Sequence, residues 1–209
     1  MKIIEVNNLN KKYHHHIIFE NVSYKFEKGK CYMLIGQNGS GKSTFIKCLL
    51  GLTHFQGDIK SETEKIGYVP EKMFLPHHLK VGEFLKDIIE LKCNNEINEE
   101  MINSYLDRWS ILNKKDKRIK TLSKGMMQKL AIIQALITDP DLLIFDEVLN
   151  GLDINNQNLL FETIRILKEN GKTIIVSSHY PKEYLNVVDV VLEVKKCKIE
   201  EIKDEFKTN

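Results

Sequence analysis

The sequence predicts an α/β fold with a mostly parallel sheet covered by helices on both faces. Three observations predict it. Short continuous apolar runs, Cys31–Ile35 and 142–145, read as strands buried on both sides, since a half-exposed strand would alternate. In the second half of the chain such runs alternate with segments of helical period. One run, Cys31–Ile35, passes through a glycine-rich turn straight into a helix.

Residues 1–70 are β-rich. Val22, Tyr24 and Phe26 alternate with polar residues, the mark of a half-buried strand. A helix is expected over 42–50, then short strands over 57–60 and Ile66–Val69. The character changes at Pro70. Over 81–111 apolar residues recur at helical spacing: Phe84, Leu85, Ile88 and Ile89, then Ile97, Met101, Ile102, Tyr105 and Leu106. This reads as a helical insertion. The Lys- and Arg-rich stretch 114–129 reads as a solvated face. A helix is expected from 124 to 137, a strand over 142–145, a helix over 154–170, strands over 173–176 and 187–194, and a charged tail to close the chain.

With 209 residues the chain is long enough for one domain with a large core and a small inserted subdomain. Its 42% apolar and 29% charged residues are ordinary for a globular protein. A net charge of +2 is far from that of a dedicated nucleic-acid binder. Apolar runs such as Cys31–Ile35 fall well short of the roughly 20 residues of a spanning helix. The N-terminus lacks the apolar region of a signal peptide, so the expected location is the cytosol. Cys31, Cys48, Cys93 and Cys197 show no CxxC spacing, and buried thiols are expected. His14, His15 and His16 are adjacent, so their rings diverge; a surface turn is expected there.

The chemistry starts at Gly36-Gln37-Asn38-Gly39-Ser40-Gly41-Lys42-Ser43, which fits G-x-x-x-x-G-K-[ST] between an apolar strand and a helix. Glycines let the backbone wrap phosphate oxygens, and the helix N-terminus adds its positive dipole end. Lys42 can reach the β- and γ-phosphates, and the Ser43 hydroxyl can ligate Mg²⁺. The run from Asp141 to Phe145 ends in Asp146 and Glu147. Asp146 can hold Mg²⁺ through water, and Glu147 can polarise an attacking water.

Between these motifs lies Leu122-Ser123-Lys124-Gly125-Met126, ahead of a helix. A serine there would ordinarily be a plain N-cap. Here the chain resembles the ABC-type ATPases, whose signature has the form LSGGQ; Leu122, Ser123 and Gly125 match, while Lys124 and Met126 depart. The resemblance covers about 1–194. Asn150-Gly151-Leu152-Asp153 looks like the D-loop of that family, His179 after 173–178 matches its switch histidine, and Tyr13 stands where an aromatic stacks on adenine.

The resemblance implies a P-loop core, an N-terminal antiparallel β-region and a helical subdomain, about 72–124, bearing the signature at its end, within a single ATPase domain over 1–209. It implies ATP and Mg²⁺ as cofactors. Gly36, Asn38, Gly39, Ser40, Gly41, Lys42, Ser43 and Thr44, with Tyr13, would bind ATP; Ser43, Asp146 and Glu71 would serve the metal; Glu147 and His179 would be catalytic. Two such domains join head to tail over two ATP molecules, so Ser123 and Gly125 would serve the other protomer's γ-phosphate, with Asp153 in the D-loop. Lys124 and its basic neighbours would add positive potential there.

Tyr68-Val69-Pro70-Glu71 occupies the Q-loop, with Glu71 where the family usually has Gln. That residue, together with Ser123 to Met126 and the following Gln128, Lys129 and Leu130, resembles the subset related to bacitracin-resistance and similar exporters. Val148 and Leu149 depart from the frequent Pro-Thr after the catalytic Glu. The implied function is the motor of a transporter working in export, paired with a separate membrane permease at the inner face of the membrane, as a homodimer or a heterodimer with a related ATPase. The alternatives are a non-transport ABC ATPase acting on nucleic acid, ribosomes or a soluble assembly, and another P-loop class such as a small-molecule kinase. The signature and His179 argue against the kinase. A single ATPase unit, no coiled-coil insertion and near-neutral charge argue against the non-transport ATPase, and no nucleic acid is expected as a partner.

Overall fold

A computed structural model describes residues 1–93, 98–179 and 181–202. The side chains of Cys93 and Pro181 lie outside this description, as do Ile97 and the last residues of the expected charged tail.

Two sheets organise the molecule. Strands β1 (Lys2–Tyr13), β2 (His16–Glu27) and β4 (Gln56–Ser61) form an antiparallel sheet in the order β2-β1-β4. The hairpin between β1 and β2 turns at His14 and His15, with Tyr13 opposite His16 and His14 in the left-handed region at φ 51°. The expected histidine turn is therefore present. The second sheet contains β5 (Ile66–Val69), β6 (Leu142–Asp146), β7 (Thr173–Ser177), β3 (Cys31–Ile35), β8 (Val190–Lys195) and β9 (Lys198–Ile202), in that spatial order. Its strands run parallel except β9, which returns antiparallel along β8.

The apolar runs are buried on both faces, and each face has its own core. Cys31, Met33 and Ile35 face a core shared with the helices α2 (Val81–Cys93), α3 (Glu99–Arg108), α4 (Lys124–Leu136) and α5 (Ile154–Glu169). Tyr32 and Leu34 face the other core, with α1 (Lys42–Leu49) and the antiparallel sheet. Leu143 and Phe145 against Leu142 and Ile144 repeat the pattern on β6. The period of two along a strand produces this division, so one pentapeptide links two cores.

The helices between β5 and β6 follow the expected apolar positions: Phe84, Leu85, Ile89, Ile102 and Leu106 are buried. Trp109, just past α3, is fully buried with them. Asn98 caps α3 through its side chain, which accepts from the Met101 amide at 3.1 Å. Cys31 and Cys48 are buried thiols, and burial pushes Cys31 up to about 12. No described helix is long and apolar enough to cross a membrane.

Two expectations are corrected. The strand placed over 187–194 starts only at Val190. Val187 instead hydrogen-bonds from its amide to the Tyr184 carbonyl, closing the turn after the short helix α6 (Pro181–Tyr184). The charged end of the chain contains strand β9, whose Lys198, Glu200 and Glu201 are tolerated because it is a sheet edge paired on one side to β8.

Candidate active site

The site assembles where parallel strands end. β3 delivers the chain to Gly36, and the loop to Gly41 leads into α1, so the first amides of that helix face the loop. Gly41 has φ 113°, and a β-carbon there would lie 2.9 Å from Ile18 Cγ2 and 3.0 Å from Phe19 Cζ. Only glycine lets the loop pass so close to β2. Asp146 ends β6, and Ser177, its register partner, ends β7. His179 follows two residues later.

These termini surround a cavity of about 280 Å³. It is lined by Asn38, Gly39, Ser40, Gly41, Lys42, Ser43 and Thr44, together with Ile18, Glu71, Glu147 and His179. Lys42 Nζ donates to the Gly36 carbonyl at 2.8 Å and lies 3.8 Å from Glu147 Oε1. The Ser43 hydroxyl donates to Asp146 Oδ1 at 3.2 Å. His179 Nε2 is 3.1 Å from Glu147 Oε1, and the His179 amide donates to Glu147 Oε2 at 3.3 Å. The contact of His179 Nε2 with Oε1 is not aligned as a hydrogen bond: Glu147 Oε1 is buried with no hydrogen-bond partner among the described residues, as is Ser40 Oγ.

Electrostatically the site is held against its own burial. Desolvation raises the pKa values of Asp146 and Glu147 above the ordinary carboxylate range. For Asp146 the Ser177 and Ser43 hydroxyls pull the other way; for Glu147, His179 and Lys42 do. Lys42 is pushed down by desolvation, against the pull of Glu147, Asp146 and Glu71. Both members of the Lys42–Glu147 pair are thus driven toward neutrality, so burial outweighs their mutual attraction.

The residues fit a triphosphate and a divalent cation. Two buried oxygens have no partner among the described residues, the lysine and serine are turned onto groups of their own chain, and the loop 38–44 lines an anion-sized space. Ser43, Asp146 and Glu71 supply hard oxygen donors, as Mg²⁺ requires. Among the described residues no group of three or more His, Cys, Asp and Glu gathers to hold a metal. Mg²⁺ is usually held by one or two carboxylates with the substrate's phosphates, so a sparse protein set is what it uses.

Other expected residues lie apart from this cavity. Tyr13 is 44% exposed at the end of β1, with Lys11 Nζ 4.2 Å over its ring, and does not line the cavity. Ser123 caps α4, its side chain accepting from the Met126 amide at 3.3 Å. A β-carbon on Gly125 would lie 2.9 Å from the Gly151 carbonyl oxygen, so the start of α4 and the segment 150–153 are packed together. Asp153 caps α5, accepting from the Asn156 amide at 2.9 Å, and the Asn156 hydrogen bonds hold its pKa low. Glu71 is exposed and reaches the cavity wall from the loop after β5. Within 114–129, Lys115 is tied to Glu99 while Lys124 stays exposed.

Sequence reading passed over Ile18 and Ser177. Ile18 sits in a strand pattern without chemical character. Ser177 was visible only as the end of an apolar run.

A glycine-rich loop ahead of a helix, a lysine and serine from that helix, and two acidic residues at a neighbouring strand end define a P-loop nucleotide-hydrolysing protein. The particular class follows from its relatives. A family model described as ABC transporter matches residues 19–150. The chain is 36% identical over 182 residues to the zinc import ATP-binding protein ZnuC of Rickettsia conorii, spanning 85% of this chain and 76% of that one. It is 30% identical over 211 residues to the Nod factor export ATP-binding protein I of Burkholderia lata, spanning 95% and 68%. A solved structure described as the ATP-binding subunit of an ABC transporter superposes with a TM-score of 0.91 at 26% identity, over 97% of this chain and 90% of that one. The chain belongs to the ABC transporter family and is an ATP-binding subunit with ATPase activity.

Proposed function

We propose that this chain powers transport through a separate membrane permease, by closing on a second ATPase subunit when ATP is bound and opening after hydrolysis. The observation that carries the reading is the meeting of Lys42, Ser43, Glu147 and His179 at one cavity, with Asp146 hydrogen-bonded to Ser43. In this reading 1–209 is one ATPase domain, with 72–124 as its inserted helical subdomain.

Asn38, Gly39, Ser40, Gly41 and Thr44 wrap the phosphates, Gly36 starts the turn, and Lys42 leaves the Gly36 carbonyl to meet the β- and γ-phosphates. Tyr13 covers the adenine. Ser43, Asp146 and Glu71 would hold Mg²⁺. Bound Mg²⁺ would neutralise phosphate charge and orient the terminal phosphate. Glu147 holds the attacking water and accepts its proton. His179 steadies the water and the developing charge. Ser123 and Gly125 serve the other subunit's γ-phosphate, and Asp153 couples the two sites. The start of α4, capped by Ser123, supports that role because a helix N-terminus favours an anion.

Export as the direction rests on Glu71 and on the segment from Ser123 to Met126, in the manner of bacitracin-resistance exporters; relatives named for import and for export are both similar to this chain. In this reading the subunit is held at the cytoplasmic membrane face by its permease, as a homodimer or with a related ATPase.

Affinity purification in mild detergent tests it. A co-purifying membrane protein that stimulates Mg²⁺-dependent ATP hydrolysis is the expected result. Co-purification of ribosomes or nucleic acid with no such protein would overturn the transport reading.

A further inference from the structure

Asp146 and Glu147 are adjacent, yet their carboxylates do different things. Asp146 meets Ser43, while Glu147 turns to His179 and Lys42. The turn needs an unusual backbone. Glu147 has φ 52°, in the left-handed region that a side chain with a β-carbon rarely adopts. A residue in that region persists only where its surroundings hold it.

Ser177 supplies the hold. It ends β7 directly beside Asp146 and is fully buried. Its hydroxyl donates to Asp146 Oδ1 at 2.5 Å. The same oxygen accepts from the Glu147 amide at 3.1 Å, and the Ser177 carbonyl receives that amide at 3.3 Å. One hydroxyl therefore restrains the Asp146 side chain and the Glu147 backbone together. Among the described residues, Asp146 Oδ1 receives two hydroxyls, from Ser43 and Ser177. When Ser43 and Asp146 turn to a cation, Ser177 is the one that can stay in place.

We infer that Ser177 is a positioning residue for ATP hydrolysis, whose hydroxyl fixes Asp146 toward the metal and Glu147 toward the attacking water. The inference rests on the roles proposed above for Asp146 and Glu147. Groups that orient metal ligands from behind typically cost about 10–100-fold in metal affinity or activity when removed. Alanine leaves Asp146 with one hydroxyl and removes a partner from the Glu147 amide. Threonine keeps the hydroxyl. Cysteine is close to serine in size but a weak donor.

The experiment compares wild type with Ser177→Ala, Ser177→Thr and Ser177→Cys by thermal melting, binding of a fluorescent ATP analogue in EDTA, and ATPase rate against Mg²⁺ concentration. Expected for Ala and Cys is a roughly tenfold or greater rise in the Mg²⁺ needed for half-maximal rate, together with a lower kcat. Nucleotide binding in EDTA should match wild type, and Thr should restore the Mg²⁺ requirement. A wild-type Mg²⁺ requirement and kcat in the Ala variant overturn the inference. So does a loss of nucleotide binding in EDTA that matches the loss of rate, which marks a purely structural residue. Should the Ala variant fail to fold, the Cys variant decides by the same readouts, and a Thr variant that folds but is as impaired as Ala also overturns it. Asp146→Asn and Glu147→Gln run alongside. If those two hydrolyse ATP normally, the proposed roles fail; if they are inactive while the Ser177 variants are normal, only this inference fails.

Discussion

Glu147→Gln separates chemistry from binding most cleanly. The glutamate side chain is 5% exposed, and its Oε1 stands 3.8 Å from Lys42 Nζ. At an effective dielectric of about 20, two unit charges at that distance attract by about 4 kcal/mol. Yet the pKa of Glu147 is raised and that of Lys42 lowered, so each is shifted in the direction of desolvation, against the pull of its partner. The carboxylate is therefore a charge kept at some expense, useful only if its basicity is used. Glutamine preserves the volume and one acceptor for the His179 amide, but it cannot take a proton. Loss of a general base costs about 10²–10⁴-fold, or about 3–5 kcal/mol in the barrier. ATP affinity should hold or tighten, because one negative charge has left the neighbourhood of the γ-phosphate. Single-turnover phosphate release and fluorescent-ATP titration measure the two effects. Size-exclusion chromatography with Mg-ATP should show the variant as a dimer. Hydrolysis at the wild-type rate would remove Glu147 as the base; a monomer with ATP demonstrably bound would refute ATP-driven closure.

Lys42→Ala should abolish measurable Mg-ATP binding, since Lys42 lines the cavity proposed for the phosphates; wild-type affinity by titration calorimetry would contradict this. His179→Ala should lower kcat far more than nucleotide affinity; equal losses in both would make it a binding or folding residue. Glu71 adds a negative charge at the cavity wall, so Glu71→Gln should stay active with a weaker Mg²⁺ requirement. Glu71→Ala should keep basal nucleotide binding and lose stimulation by the permease; superimposable Mg²⁺ titrations for wild type and both variants, with stimulation unchanged, would end that idea. Asp146 and Glu147 have raised pKa values in the folded protein, so their contribution to stability is full below the ordinary carboxylate range and lost as pH rises through the raised values. In EDTA without nucleotide, the Tm of wild type relative to an Asp146→Asn, Glu147→Gln double variant should therefore rise as pH falls from above the raised values toward the ordinary carboxylate values of about 4. A constant difference would show that the two carboxylates titrate normally.

What could be read from sequence was whatever rests on local chemistry. The loop 36–43 declares itself because only glycine fits its turns and only Lys and Ser give its side-chain chemistry. The continuous apolar runs declare strands buried on both faces, and the two cores divided by odd and even residues of Cys31–Ile35 follow from the strand period. Pairing across the fold decided the rest. Strand β9 was hidden because an edge strand carries charges like a tail, and only β8 beside it makes it a strand. The place of Tyr13 also comes from pairing: the hairpin sets its ring under Lys11 and outside the lining of the cavity at Lys42. Ser177 looked like the last residue of an apolar run. Its meaning comes from register, because the parallel pairing of β6 with β7 puts it opposite Asp146 although 31 positions separate them in the chain. Local propensity is written in neighbouring residues, whereas a hydrogen bond across that separation exists only once the sheet has brought its ends together.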